Sequence, residues 1–269
     1  MRIFDRRLLG ILMVFFLVCA NLAPWPEATA GAAPRIEVKD GQVFLNGSQV
    51  TDSVGEKSLA ALSPDGQNIL YLCRLSDTSL QVGIYNLPGK TSKLVELTED
   101  HLQVTALDWL GNGKFALTIH VNPSLEIYSV YSVATAKSLG RYYGYGFIVN
   151  PARTKIIYIE APPHFSQEDG PYKLMLNRKV LYIAATGVSI DNSVAIAPSF
   201  NRIAFYETSL QNDASATLVV LTLAKNRVIS KKRIPWNEPM LSLIWDGETY
   251  LKIGDAAKYD ADKGQLIRK

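Results

Sequence analysis

The chain has 269 residues, 48% hydrophobic and 20% charged, with 28 Lys+Arg against 25 Asp+Glu. Without residues 1–30 the count is 25 Lys+Arg to 23 Asp+Glu, a charge of about +2, which excludes the concentrated basic face that nucleic acid requires. Only Cys19 and Cys73 are present.

Residues 1–30 read as an export signal. Arg2, Arg6 and Arg7 precede an apolar run at 8–20, and Ala28-Thr29-Ala30 supplies a small-x-small cleavage site. The run is too short to span a bilayer, which takes about 20 residues. Val18 before Cys19 argues against lipidation at that cysteine. Cleavage near Ala30 leaves Cys73 alone, so no intramolecular disulfide forms and the fold rests on its core. A chain of this size buries roughly 70% of its unfolded surface.

Residues 31–57 hold a hairpin with turns at Asp40-Gly41 and Asn46-Gly47. Residues 58–269 are a repeat array. Short runs rich in Val, Ile, Tyr and Leu recur at 69–73 (ILYLC), 115–119 (FALTI), 156–160 (IIYIE), 203–207 (IAFYE) and 250–254 (YLKIG). Their starts are 46, 41, 47 and 47 residues apart, a period that fits a four-stranded unit. Each run follows a turn: PDGQN, LGNGK, PARTK, PSFNR or WDGET. The runs are apolar on both faces, as strands packed between neighbouring sheets must be. Third strands are predicted at 81–86, 125–133, 173–177, 217–223 and 257–260, and fourth strands at 93–97 and 227–232. Lys231-Lys232-Arg233 reads as a solvated edge.

"ALSPDGQNILYLCR" at 61–74 resembles the TolB-type, WD40-like propeller repeat; the other four copies keep its spacing and lose most of its letters. The resemblance implies an all-β propeller of five four-stranded blades, six if one is split. An N-terminal strand or hairpin then closes the ring. It also implies that connections from strand two to three, and from four to the next blade, share one face.

That face gathers Arg74, Arg141, Tyr142, Tyr143, Tyr145, His164, Phe165 and Trp236 as candidate binding residues, residue types that dominate binding hot spots. The alternative for each aromatic is inward packing. Asp65 sits in the opening turn and reads as structural. No G-x-S-x-G, H-E-x-x-H or C-x-x-C motif is present, and no phosphate-cradling Gly loop with Lys. The three histidines, His101, His120 and His164, lack close ligand partners, so no metal or cofactor is expected. Candidate catalytic carboxylates are Asp108, Glu160 and Glu207. Asp108 shares an alignment column with Leu62, Val149, Ile196 and Leu243 and reads as a turn cap. Glu160 and Glu207 close their strands and read as solvent-exposed. The leading reading is an exported, extracytoplasmic, non-catalytic scaffold for a protein, peptide or envelope polymer. Its only membrane association is the signal, if uncleaved. The alternative is a propeller enzyme acting on glycans through carboxylates from several blades.

Overall fold

The computed structural model describes residues 34–52, 54–77, 79–96, 103–122, 125–162, 170–209, 215–224, 227–235, 242–255 and 257–268. Among them there is no helix, and every strand lies in one unit, Ile36–Lys269. The predicted hairpin forms an N-terminal sheet of β1 (Ile36–Lys39), β2 (Gln42–Leu45) and β3 (Ser48–Gln49). Blade 1 is β4 (Glu56–Leu62), β5 (Asn68–Ser76), β6 (Ser79–Asn86) and β7 (Thr91–Glu96). Blade 2 comprises β8 (Val104–Trp109), β9 (Lys114–Asn122), β10 (Leu125–Ser132) and the first half of β11 (Ser138–Val149). Blade 3 takes the second half of β11, then β12 (Ile156–Glu160), β13 (Lys173–Leu176) and β14 (Lys179–Ile183).

In blade 4 the inner position is divided between β15 (Val188–Ile190) and β16 (Ala195–Ile196), both paired to β17 (Arg202–Ser209). β18 (Ser215–Thr222) and β19 (Arg227–Pro235) complete it. Blade 5 is β20 (Leu243–Asp246), β21 (Tyr250–Ile253), β22 (Ala257–Asp260) and β23 (Gln265–Arg268). The architecture is a β-propeller of antiparallel four-stranded units.

Apolar side chains on both faces of the second strands build the core between consecutive sheets. Leu70 and Leu72 pack with Phe115 and Leu117 between blades 1 and 2. Ala116, Tyr128 and Tyr158 join blades 2 and 3, Ile157 and Phe205 join 3 and 4, and Ala204 and Leu251 join 4 and 5. Each large buried side chain contributes about 1.5–3 kcal/mol. Two tryptophans fasten inner strands together: Trp109 donates its Nε1 hydrogen to the Ala61 carbonyl at 2.9 Å, and Trp245 to the Ala195 carbonyl at 3.2 Å.

That equivalence corrects the repeat alignment. Trp109 pairs with Phe115, Trp245 with Leu251, and Leu62 with Ile69. The turns of blades 2 and 5 are one residue shorter than the others: Leu110 N–H bonds to the Lys114 carbonyl, whereas Ser63 N–H bonds to that of Asn68. A one-residue slip reverses which face a side chain occupies. Asp108 therefore belongs with Ala61, Ile148, Ala195 and Ile244 rather than with Leu62, Val149, Ile196 and Leu243.

The N-terminal hairpin also differs from expectation. The last sheet holds only β20–β23, and no N-terminal strand pairs into it among the described residues. Val43, Ile36 and Leu45 instead pack face-on against Ile69, Tyr71 and Cys73 of blade 1. The far face of blade 5 is solvated: Ile244 is 53% exposed, and Lys252 is exposed where Leu70, Ala116, Ile157 and Ala204 are buried in the other blades. Cys73 is buried, and burial raises its thiol pKa against the opposing pull of Lys57. Lys57, 2% exposed, donates to the Gly55 carbonyl at 2.7 Å.

The opening turn behaves as the sequence implies. Ser63 Oγ donates to Asp65 Oδ1 at 2.6 Å, and the Gln67 N–H donates to the same oxygen at 3.0 Å. These bonds lower the Asp65 pKa. Gly66 takes the positive φ of 69° that the turn requires.

Candidate functional site

Strands β5, β9, β12 and β17 all run away from the turns that precede them toward a second end, the loop end, where the chain passes to β6, β10, β13 and β18. Of the exposed large apolar side chains, Val54, Leu75, Val121, Tyr143 and Ile183 belong to strand ends or connections at this loop end. Leu139 and Val180 lie at the turn end, and Val38, Leu94, Ile244 and Ile267 lie elsewhere.

Blades 2 and 3 meet at the loop end without a loop. The segment 141–147, expected to be a connection, is part of β11, which pairs with β10 through Gly144 and with β12 from Tyr145 onward. Glycine makes this crossing possible. A Cβ on Gly144 would lie 2.1 Å from the Ile159 carbonyl oxygen, and Gly146 adopts a φ of 63°. Tyr145 turns inward, donating its hydroxyl to the Ile190 carbonyl at 2.7 Å. Tyr143 is left 51% exposed.

The other candidates divide similarly. Arg74 stands at the loop end of β5, half-buried and opposite Glu56. Arg141 is midway along β11 opposite Ser129, and its carbonyl accepts a bond from Arg178 Nη2 at 3.1 Å. Tyr142 is packing material: its ring meets Tyr128 and Tyr158 edge-on, with the Arg178 guanidinium 5.0 Å from its centroid. Phe147 stacks between Tyr128 and Tyr158 at 5.2 and 5.4 Å. Tyr158 is pushed up to about 12, first by burial and then by the Glu160 charge. His101, His164, Phe165 and Trp236 lie outside the described residues.

The three candidate carboxylates sit in three separate settings. Asp108 is near the turn end of β8, whereas Glu160 and Glu207 are at the loop ends of β12 and β17. Asp108 caps no turn: its Oδ2 accepts the Tyr128 hydroxyl at 3.3 Å across the sheet, with Arg153 of the next blade nearby. Burial raises its pKa against both partners. Glu160 is ion-paired with Lys173 at 2.7 Å. Glu207 is not solvent-exposed but 8% exposed; it accepts the Tyr182 hydroxyl at 2.6 Å and a bond from Lys231 at 3.1 Å. Lys231 also donates to the Tyr182 hydroxyl, while Lys232 and Arg233 are exposed on edge strand β19. Among the described residues, no three His, Cys, Asp or Glu side chains gather as metal ligands.

The Asp108 setting has a pH consequence. A carboxyl whose folded pKa is raised stabilises the fold most at acid pH and loses that contribution as pH rises through the folded pKa. Asp108→Asn is expected to raise the melting temperature at about pH 7 and to leave it unchanged at about pH 3. Thermal melts at the two pH values check this; equal effects at both would contradict it.

One pair escaped the sequence reading. His120 and Glu126 are directly opposite on β9 and β10 at the loop end. Glu126 is half-buried; its carboxylate accepts the Gly146 N–H and faces the imidazole. The stretch His120-Val-Asn-Pro-Ser-Leu-Glu126, a reversal between two apolar runs, was the available signal.

No family profile matches this chain, and no curated protein sequence matches it. Solved structures do. A structure of the eukaryotic initiation factor aligns with a TM-score of 0.59 and 12% identity, over 89% of this chain and 63% of that one. A Bacteroides ovatus protein assigned as a dipeptidyl aminopeptidase IV aligns with a TM-score of 0.57 and 14% identity, over 87% of this chain and 44% of that one. The oligogalacturonate lyase of Vibrio parahaemolyticus aligns at 0.50 and 11%, over 84% and 70%. The chain thus spans less than two thirds of the first two structures. At these identities the likeness is one of fold alone, and that fold is the β-propeller.

Proposed function

We propose that this is an exported β-propeller that binds a protein, peptide or envelope polymer outside the cytoplasm through the loop end of its blades. The observation that carries the reading is the concentration of exposed apolar side chains there, with Tyr143 (51% exposed) beside the Gly144–Gly146 crossing. Apolar side chains at one end of a rigid sheet scaffold are what a partner surface uses. The glycan-enzyme alternative gains no support from the three carboxylates, since Asp108 lies at the turn end and the other two are engaged by lysines.

A photoreactive benzoylphenylalanine placed at position 143 or 180, in protein matured in the envelope, tests the reading. Adducts are expected from position 143 and not from position 180 at the turn end. Equal adducts from both, or from position 180 alone, would contradict it.

A further inference from the structure

The loop end of the blade 2–blade 3 interface collects four titratable side chains that strand alternation sends to facing sides. His120 and Glu126 share the blade 2 face with Tyr128. Glu160 and Lys173, opposite each other on β12 and β13, share the blade 3 face with Tyr158. The Glu160 charge is matched by Lys173 at 2.7 Å. Glu126 is matched differently, by one backbone N–H and an imidazole, and burial outweighs both, so its pKa is raised. The crossing above it carries no side chain at Gly144 or Gly146, and a Cβ at Gly146 would meet its neighbours only at 3.8 Å or more. The rings of Tyr128, Tyr142 and Tyr158 pack together within this interface.

We propose that Glu126, with His120 beside it, is a subsite for one cationic group of the partner, a guanidinium or an alkylammonium. This rests on the loop end being the binding face and adds the chemistry that face recognises. Among the described residues no lysine or arginine tunes this half-buried carboxylate, so an incoming cation adds a charge-assisted bond. Nearby tyrosine rings add cation–π attraction, as Arg178 already does on Tyr142.

Acid weakens the attraction. Burial makes Glu126 take up its proton at higher pH than an ordinary carboxylate, which removes the charge that holds the cation. Among the described residues, the other charges on these facing strands and their turn, Glu160, Lys173 and Arg178, already pair with each other or with a ring. Cation binding is therefore lost as pH falls.

The test is an NMR titration of the histidine- and glycine-labelled protein with butylguanidinium chloride, against sodium chloride at equal ionic strength. At about pH 7.5 the His120 ring and Gly146 amide signals are expected to shift saturably, with affinity lower at about pH 5. Glu126→Gln, which keeps an acceptor for the Gly146 N–H, is expected to lose ~10-fold. Wild-type affinity in Glu126→Gln, or binding that strengthens on acidification, would overturn the proposal. If Glu126→Gln fails to fold, the pH response of wild type decides the matter, since binding that does not weaken on acidification would overturn the proposal. The titration reads the subsite and the crosslink from position 143 reads the binding face, so failure of one and failure of the other remain distinguishable.

Discussion

Gly144→Ala is expected to destabilise the protein by more than about 3 kcal/mol, the upper end of overpacking penalties. The added methyl would lie 2.1 Å from the Ile159 carbonyl oxygen and 3.0 Å from both the Ile159 carbonyl carbon and Tyr158 Cδ2. Two of those atoms are backbone of the central strand of blade 3, so no side-chain rotation relieves the overlap. The strand must move, and with it the Tyr145–Ile159 pairing that starts the blade. For a chain of this size the melting temperature should fall by roughly 6 °C or more. Gly113→Ala is the matched control, since a Cβ there meets nothing within 4 Å. A melt that leaves Gly144→Ala and Gly113→Ala alike would contradict the crossing as described.

The second large effect is at the blade 3–blade 4 interface. Glu207→Ala is expected to cost about 2–3 kcal/mol and Lys231→Ala distinctly less. The asymmetry follows from exposure: the Glu207 side chain is 9% exposed and that of Lys231 45%. Without Glu207, the Tyr182 hydroxyl loses its acceptor at 2.6 Å, although Lys231 can turn to water. Without Lys231, Glu207 keeps the Tyr182 bond. Denaturant unfolding of both variants checks the order, and a larger loss for Lys231→Ala would refute it.

The repeat and its strands were legible because the second strands are apolar on both faces and end at strong turn residues. Strands predicted at 125–133 and 173–177 formed as Leu125–Ser132 and Lys173–Leu176. What spacing could not convey was a turn shortened by one residue. Two glycines in LGNGK tighten the blade 2 turn, which moved Asp108 into the wrong column and onto the wrong face. The crossing at 141–147 looked like an aromatic loop because glycine normally breaks strands. Here it allows the backbone to pass Ile159 closely. That explains why adjacent tyrosines differ: Tyr142 and Tyr145 pack inward while Tyr143 faces solvent. Glu126 carried no motif at all, and its importance comes from a cross-strand register with His120 that only the folded sheet displays.

The binding-face claim is tested most directly by comparing Tyr143→Ala with Tyr142→Ala, using the mature protein as bait for envelope extract and recording thermal melts alongside. Tyr143→Ala is expected to weaken capture at least ~10-fold, as loss of an exposed aromatic anchor does, with the melting temperature unchanged. Tyr142→Ala is expected to lower the melting temperature by several degrees, since it removes an interlocked ring at the rate of about 3–5 kcal/mol for a buried aromatic, less for one half-buried. Undiminished capture by Tyr143→Ala, with its melting temperature lowered instead, would contradict the account.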